Sequence, residues 1–183
     1  LTVQGSASAT TFSTHGTAVA DITGGAAADT FNIGSTAAAQ NVDGGAGTDT
    51  LNMTLSGSTS ADDMVNFEVY NLTVANSAAA GLVIATTEAI NDADTTTINI
   101  LGGNSLSTMA LGTAGAPAIG IANGTQAAGL VTLNASAFNG DFTAMFGLNV
   151  IDTNLTISGG AGADNIHGTF SAAKVIKMSG VER

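Results

Sequence analysis

Apolar and polar residues alternate along this chain only in short bursts of three to six residues. Four of these share one pattern: Asn71-Leu72-Thr73-Val74, Thr97-Ile98-Asn99-Ile100, Val131-Thr132-Leu133-Asn134 and Asn154-Leu155-Thr156-Ile157. Each places an apolar residue beside a Thr or Asn, the period-two signature of a half-buried strand. The gaps between them run from the low twenties to the mid thirties, about one to one and a half turns of a stacked β-coil. No stretch carries a helical period. Val65, Phe67 and Val69 alternate on one phase, whereas Tyr70, Leu72 and Val74 take the other. This predicts a bend or bulge between Val69 and Tyr70, because only a break in phase lets both sets face one core. Ala110 to Gly129, rich in Gly and Ala around Pro117, predicts a long loop or small insertion.

Composition narrows the fold. Gly, Ala, Ser, Thr, Asn and Asp dominate, with no Trp, one Tyr and seven Phe. Small side chains let turns pile closely around a thin core. The recurrent Val, Ile, Leu and Phe clusters exclude a disordered chain. The expected fold is all-β, an irregular right-handed parallel β-helix, a β-roll-like solenoid with inserted loops.

A longer repeat overlies the strands. Gly44-Gly45-Ala46-Gly47-Thr48-Asp49-Thr50-Leu51 returns 115 positions later as Gly159-Gly160-Ala161-Gly162-Ala163-Asp164-Asn165-Ile166. An apolar segment with a glutamate follows each copy, Glu68 lying 24 residues after Gly44 and Glu182 lying 23 after Gly159. The expectation is a single repetitive segment over 1–183, with units at about 20–115 and 135–183. A chain that begins at Leu1 and stops inside a second unit reads as a piece of a longer array.

The repeated octapeptide belongs to the pattern Gly-Gly-x-Gly-x-Asp-x-U-x, with U a large apolar residue, which is a calcium-binding β-roll nonapeptide. It is complete at Gly44 to Asn52 and at Gly159 to His167; Gly24 to Asn32 is a degenerate copy with Ala27 in the third glycine place. Calcium takes about six to eight oxygens from carboxylates, carbonyls and water. Glycines let a turn aim carbonyls at one point, the aspartate supplies charge, and Phe31, Leu51 or Ile166 plugs the core. Asp29 and Asp49 are 20 residues apart, close to the roughly 18 of a two-nonapeptide turn, so their loops stack. The expected first site joins Asp29 and Asp49 with carbonyls of Gly24, Gly44 and Gly47, and Asp21 and Asp43 flank it. The expected second site uses Asp164 with Gly159 and Gly162. Its partner layer is supplied by Asp141 or by Asp152.

Charge excludes some partners. The net charge is −11, and the three basic residues, Lys174, Lys177 and Arg183, all lie in the last ten positions. A nucleic acid or an anionic membrane needs a basic footprint that the first 173 residues lack. With no cysteine there are neither disulfides nor thiolate metal sites. No apolar run is long enough for a membrane-spanning helix. His15 and His167 read as surface residues, and Asp62-Asp63 and Asp92-x-Asp94 as solvated turns rather than a glycosidase pair. There is no Gly-x-Ser-x-Gly elbow. Asn52, Asn71, Asn123, Asn134 and Asn154 open sequons that composition alone accounts for.

The nonapeptides resemble the RTX repeats of proteins exported by type I secretion. The texture of Phe67-Glu68-Val69-Tyr70-Asn71-Leu72-Thr73, of Leu133 to Gly140 and of Asn154 to Gly160 is similar to the C-terminal region of Gram-negative S-layer proteins. This resemblance implies calcium-dependent folding outside the cell, lattice assembly with copies of itself, and attachment to lipopolysaccharide through other parts of the full protein. The expected role is structural and not enzymatic. An RTX adhesin module binding a host or glycan ligand is the alternative, followed by a polysaccharide-acting β-helix enzyme.

Overall fold

A computed structural model describes residues 2–14, 21–34, 41–55, 64–75, 82–84, 95–105, 107–113, 116–117, 130–145, 154–168 and 175–182. They form strands and no helix: β1 (Thr2–Gln4), β2 (Thr11–Thr14), β3 (Asp21–Thr23), β4 (Thr30–Ile33), β5 (Asn41–Asp43), β6 (Thr50–Leu55), β7 (Met64–Val65), β8 (Val69–Val74), β9 (Leu82–Ile84), β10 (Thr97–Gly102), β11 (Thr108–Thr113), β12 (Ala116–Pro117), β13 (Thr132–Phe138), β14 (Asp141–Met145), β15 (Leu155–Ser158), β16 (Asn165–His167) and β17 (Ile176–Ser179).

Eight strands form one long sheet in the order β17-β15-β13-β10-β8-β6-β4-β2, every neighbouring pair parallel. Each coil of the chain contributes one strand to it and spends its next strand on a flank. The first flank is the sheet β1-β3-β5-β7, and the second contains β11, β14 and β16 with β9 paired to β11. The fold is thus all-β and built of stacked parallel coils, as expected. The long sheet is continuous where one flank gives way to the other, because β8 pairs with both β6 and β10.

The four alternating clusters of the sequence lie in β8, β10, β13 and β15, consecutive neighbours in the long sheet. Along the long sheet, from β4 to β15, apolar residues stack inward in register: Phe31, Leu51, Tyr70, Ile98, Leu133 and Ile157 are all buried. Burying each such side chain stabilises the fold by about 1.5–3 kcal/mol relative to exposure. In the early coils the aromatic rings touch one another, with Phe12 stacked on Phe31 at 4.7 Å and Phe31 edge-on to Phe67 at 5.1 Å, while Phe138 and Phe142 are buried in later coils. Tyr70 hides its ring and satisfies its hydroxyl on the Met64 carbonyl at 3.2 Å.

The outward residues form a ladder. The side-chain amide of Asn52 donates to Asn32 at 2.8 Å, Asn71 to Asn52 at 2.7 Å and Asn99 to Asn71 at 2.8 Å. Asn134 reaches Asn99 at 3.4 Å. Such ladders hold parallel strands in register and resist the usual sheet twist. The rungs are 20, 19, 28 and 35 residues apart in sequence, so coils of unequal length still bring the asparagines into register, and the β10/β13 pairing shifts only beyond Asn99.

Three expectations change. The phase break sits at Asn66 to Glu68 and not between Val69 and Tyr70. Asn66 adopts φ +59°, which turns the chain so that Met64 is buried, Val65 is 39% exposed and Val69 opens β8 facing outward. The segment from Ala110 is not all loop, since β11 runs to Thr113 and pairs antiparallel with β12 through Gly112 and Pro117. Pro117 is tolerated there because β12 is a two-residue strand at the sheet edge, with no ladder on its outer side; residues 118–129 lie outside the described ones. Finally, the octapeptides 115 residues apart are not equivalent in the coil. Gly44 to Asp49 leads from the flank strand β5 into β6 of the long sheet, whereas Gly159 to Asp164 leads out of β15 into the flank strand β16.

Candidate metal centre

The first corner is a column of stacked turns. Strand register aligns Thr10, Asp29, Asp49 and Glu68 as the residues entering β2, β4, β6 and β8. Each carboxylate accepts a backbone N–H from the coil before it. Thr10 N donates to Asp29 Oδ1 at 2.6 Å, Asp29 N to Asp49 Oδ1 at 2.6 Å, and Asp49 N to Glu68 Oε2. The expected stacking of Asp29 over Asp49 is therefore present, and it extends one layer further through Glu68. A fourth corner, Gly5 to Thr10, belongs to the same column but carries no carboxylate.

Both oxygens of Asp29 are in use, since Oδ2 accepts from Gly25 N at 2.6 Å. Asp49 differs. Gly45 N turns away to Asp43 Oδ1 at 2.9 Å, and Asp49 Oδ2 is buried with no hydrogen-bond partner. The whole Asp49 residue is 0% exposed. Its backbone setting explains the difference: Gly45 and Gly47 take φ of +91° and +142°, and Ala27 cannot easily follow Gly47 there. Between coils, a Cβ on Gly44 would collide with the Asn66 carbonyl oxygen, and one on Gly24 with that of Gly44. The first glycine of the motif is thus required by close approach of stacked backbones.

Asp43 sits beside this corner, accepting from Asn66 Nδ2 at 2.8 Å as well as from Gly45 N. Asp21 lies one coil away on the outer surface of the flank, paired with Asn41 Nδ2 at 2.8 Å. Burial pushes the Asp49 carboxyl above the usual carboxylate range, and the charges of Glu68, Asp29 and Asp43 push it further, against the opposing N–H of Asp29. A buried acceptor without a donor, surrounded by negative charge, is an arrangement that a cation relieves.

The second corner adopts a different form. Asp164 is buried, with Oδ2 accepting from Gly160 N at 2.7 Å and Oδ1 from Phe142 N at 3.2 Å. Its motif is complete, yet neither Gly160 nor Gly162 has positive φ, and its hydrogen bonding copies the degenerate corner at Asp29. Asp141 is the neighbouring layer, exposed, in line with Ala163 and accepting its N–H at 2.9 Å. Burial raises the Asp164 carboxyl, the N–H bonds of Gly160 and Phe142 lower it, and the charges of Glu182 and Asp141 raise it. Asp152 lies outside the described residues.

Among the described residues no three or more His, Cys, Asp or Glu side chains converge as a metal cluster. An ion here would draw on carbonyls as well as carboxylates. Glu68 and Asn66 were not among the expected site residues. Glu68 was visible only as a glutamate recurring after each motif, and nothing in Asn66-Phe67-Glu68 resembles a nonapeptide. His167 is exposed. His15, Asp62, Asp63, Asp92, Asp94 and Asn123 lie outside the described residues. Asn154 is exposed, its Oδ1 accepting from Val175 N at 3.0 Å, while Asn52, Asn71 and Asn134 are ladder rungs. No described helix is long and apolar enough to cross a membrane. Comparison with protein-family models, with curated proteins and with solved structures finds no match.

Proposed function

We propose that this chain is a calcium-ordered, non-catalytic structural segment of a secreted bacterial surface-layer protein. The observation that carries the reading is the buried, unpartnered Oδ2 of Asp49 inside a stack of carboxylates. Asp49 and Glu68, with Asp43 beside them and Asp29 one layer away, would hold the ion of the first corner. The carbonyls of Gly24, Gly44 and Gly47 are its neutral oxygens. Asp164, with Asp141, Glu182, Gly159 and Gly162, forms the second acidic corner. Bound calcium supplies positive charge where stacked coils otherwise place like charges together. Its residues accordingly order the solenoid, and neighbouring copies of the ordered coil assemble into a lattice at the cell surface, anchored to lipopolysaccharide by other parts of the protein.

The test is thermal unfolding with calcium and with EDTA, together with metal analysis of protein prepared without chelator. A melt raised by calcium, and calcium-dependent sheets in electron micrographs, support the reading. An identical melt in EDTA with no calcium in the sample refutes it.

A further inference from the structure

The outer face of the long sheet carries two rows in exact strand register. One holds Thr11, Thr30, Thr50, Thr97, Thr132 and Thr156, with Val69 and Lys177 in the two remaining places. The other is the asparagine ladder, continued by Ser13 at one end and by Ser158 and Ser179 at the other. None of these side chains is buried. In a chain of net charge −11, the two rows contain no carboxylate, and Lys177 is their one charge.

We propose that this face binds the surface of ice. Parallel strands stand about 4.7–4.9 Å apart, and alternate residues along a strand repeat at about 6.6 Å. The two rows therefore form a rectangular lattice of hydroxyl and amide groups, close to the oxygen repeats of ice across and along its hexagonal axis. Threonine offers water a hydroxyl to bond and a methyl to enclose, and its branched Cβ limits it to few rotamers. The asparagine rungs fix one another's amides, and side-chain ladders of this kind counter the usual sheet twist, which favours a lattice match.

Charge selects this occupant. Ionic side chains hold their own hydration shells and disrupt an ordered water layer, and this face is nearly free of them although the protein is strongly acidic. A neutral glycan would be expected to meet aromatic rings, but Phe31 and Tyr70 point inward from these strands. A stable interface with another protein would be expected to have an apolar centre, and Val69 is the single apolar side chain in the two rows. The proposal does not rest on the calcium site, which lies at the corners.

The experiment uses the whole chain in calcium. Inhibition of ice recrystallisation and thermal hysteresis are measured for the wild type, for Thr97→Lys and Thr132→Lys on the face, and for Gln4→Lys on the first flank. Circular dichroism and melting establish which proteins are folded. The expected result is activity in the wild type and in Gln4→Lys, and its loss in either folded face variant. Using two face positions keeps the test decisive should one variant misfold. A folded wild type without activity overturns the proposal, as does full activity in a folded face variant. So does a fall in molecular mass on Thr97→Lys without any ice activity in the parent, which would assign the face to a second copy.

Discussion

The backbone N–H of Asp29 donates to Oδ1 of Asp49 across 2.6 Å, a bond that joins two coils 20 residues apart. One carboxylate oxygen thus staples neighbouring turns, while the other, Oδ2, stays buried without a donor. Structural and ion-binding roles meet in a single side chain, and substitution separates them.

Asp49→Asn keeps an oxygen for the Asp29 N–H and removes the charge. It is expected to melt higher than the wild type in EDTA and to lose most of the gain from calcium. Asp49→Ala removes the staple as well and should melt lower than Asp49→Asn in EDTA. If saturation at a hundred times Kd stabilises the wild type by about 2.7 kcal/mol, a calcium titration of the melting temperature resolves these cases.

Glu68→Gln preserves the acceptor for the Asp49 N–H. Calorimetric titration is expected to show weaker calcium binding with little change in the EDTA melt. Unchanged calcium affinity in a folded Glu68→Gln protein would remove Glu68 from the ligand set.

The pH profile has a defined sign. Asp49 and Asp164 have carboxyl groups raised in the folded state, first by burial and then by neighbouring negative charges. Their contribution to stability is complete below the unfolded value, about 3.9, and is lost as pH rises through the raised folded value. The calcium-free protein should therefore become more stable as pH falls from neutral through that window. With calcium the slope reverses, because protonation competes with the ion. Parallel melts in EDTA and calcium across this range check both slopes.

Asn71 links two rungs of the ladder, donating to Asn52 and accepting from Asn99. Asn71→Ala should cost about 1–3 kcal/mol, given about 0.5–1.5 kcal/mol for each hydrogen bond. Chemical denaturation measures it, and an effect below a few tenths would show that the ladder follows the strands rather than holding them.

The long sheet was legible because period-two alternation survives in β8, β10, β13 and β15, where Thr and Asn face out and Leu or Ile faces in. The stacking of Asp29 on Asp49 was legible from equal spacing. Two things were not. The exchange of one flank for the other depends on which strands pair, and the very short β7 and β9 carry too few residues to announce a partner. Nor did the motif reveal its corner: the same octapeptide enters the long sheet at Thr50 and leaves it at Ser158, since its glycines specify close backbone approach and not a direction of travel. Even its conformation follows its neighbours, because Gly45 and Gly160 send their N–H groups to different aspartates.

The three-residue corner Asn66 to Glu68 has a consequence for assembly of the fold itself. Coils built on six-residue corners of similar sequence are nearly interchangeable, and a chain that slipped by one whole turn would recover most of its hydrogen bonds. Phe67, fully buried and edge-on to Phe31, has no counterpart in the corners Gly5 to Thr10, Gly24 to Asp29 and Gly44 to Asp49. It breaks the translational symmetry of the column and marks a fixed origin from which the other turns are counted.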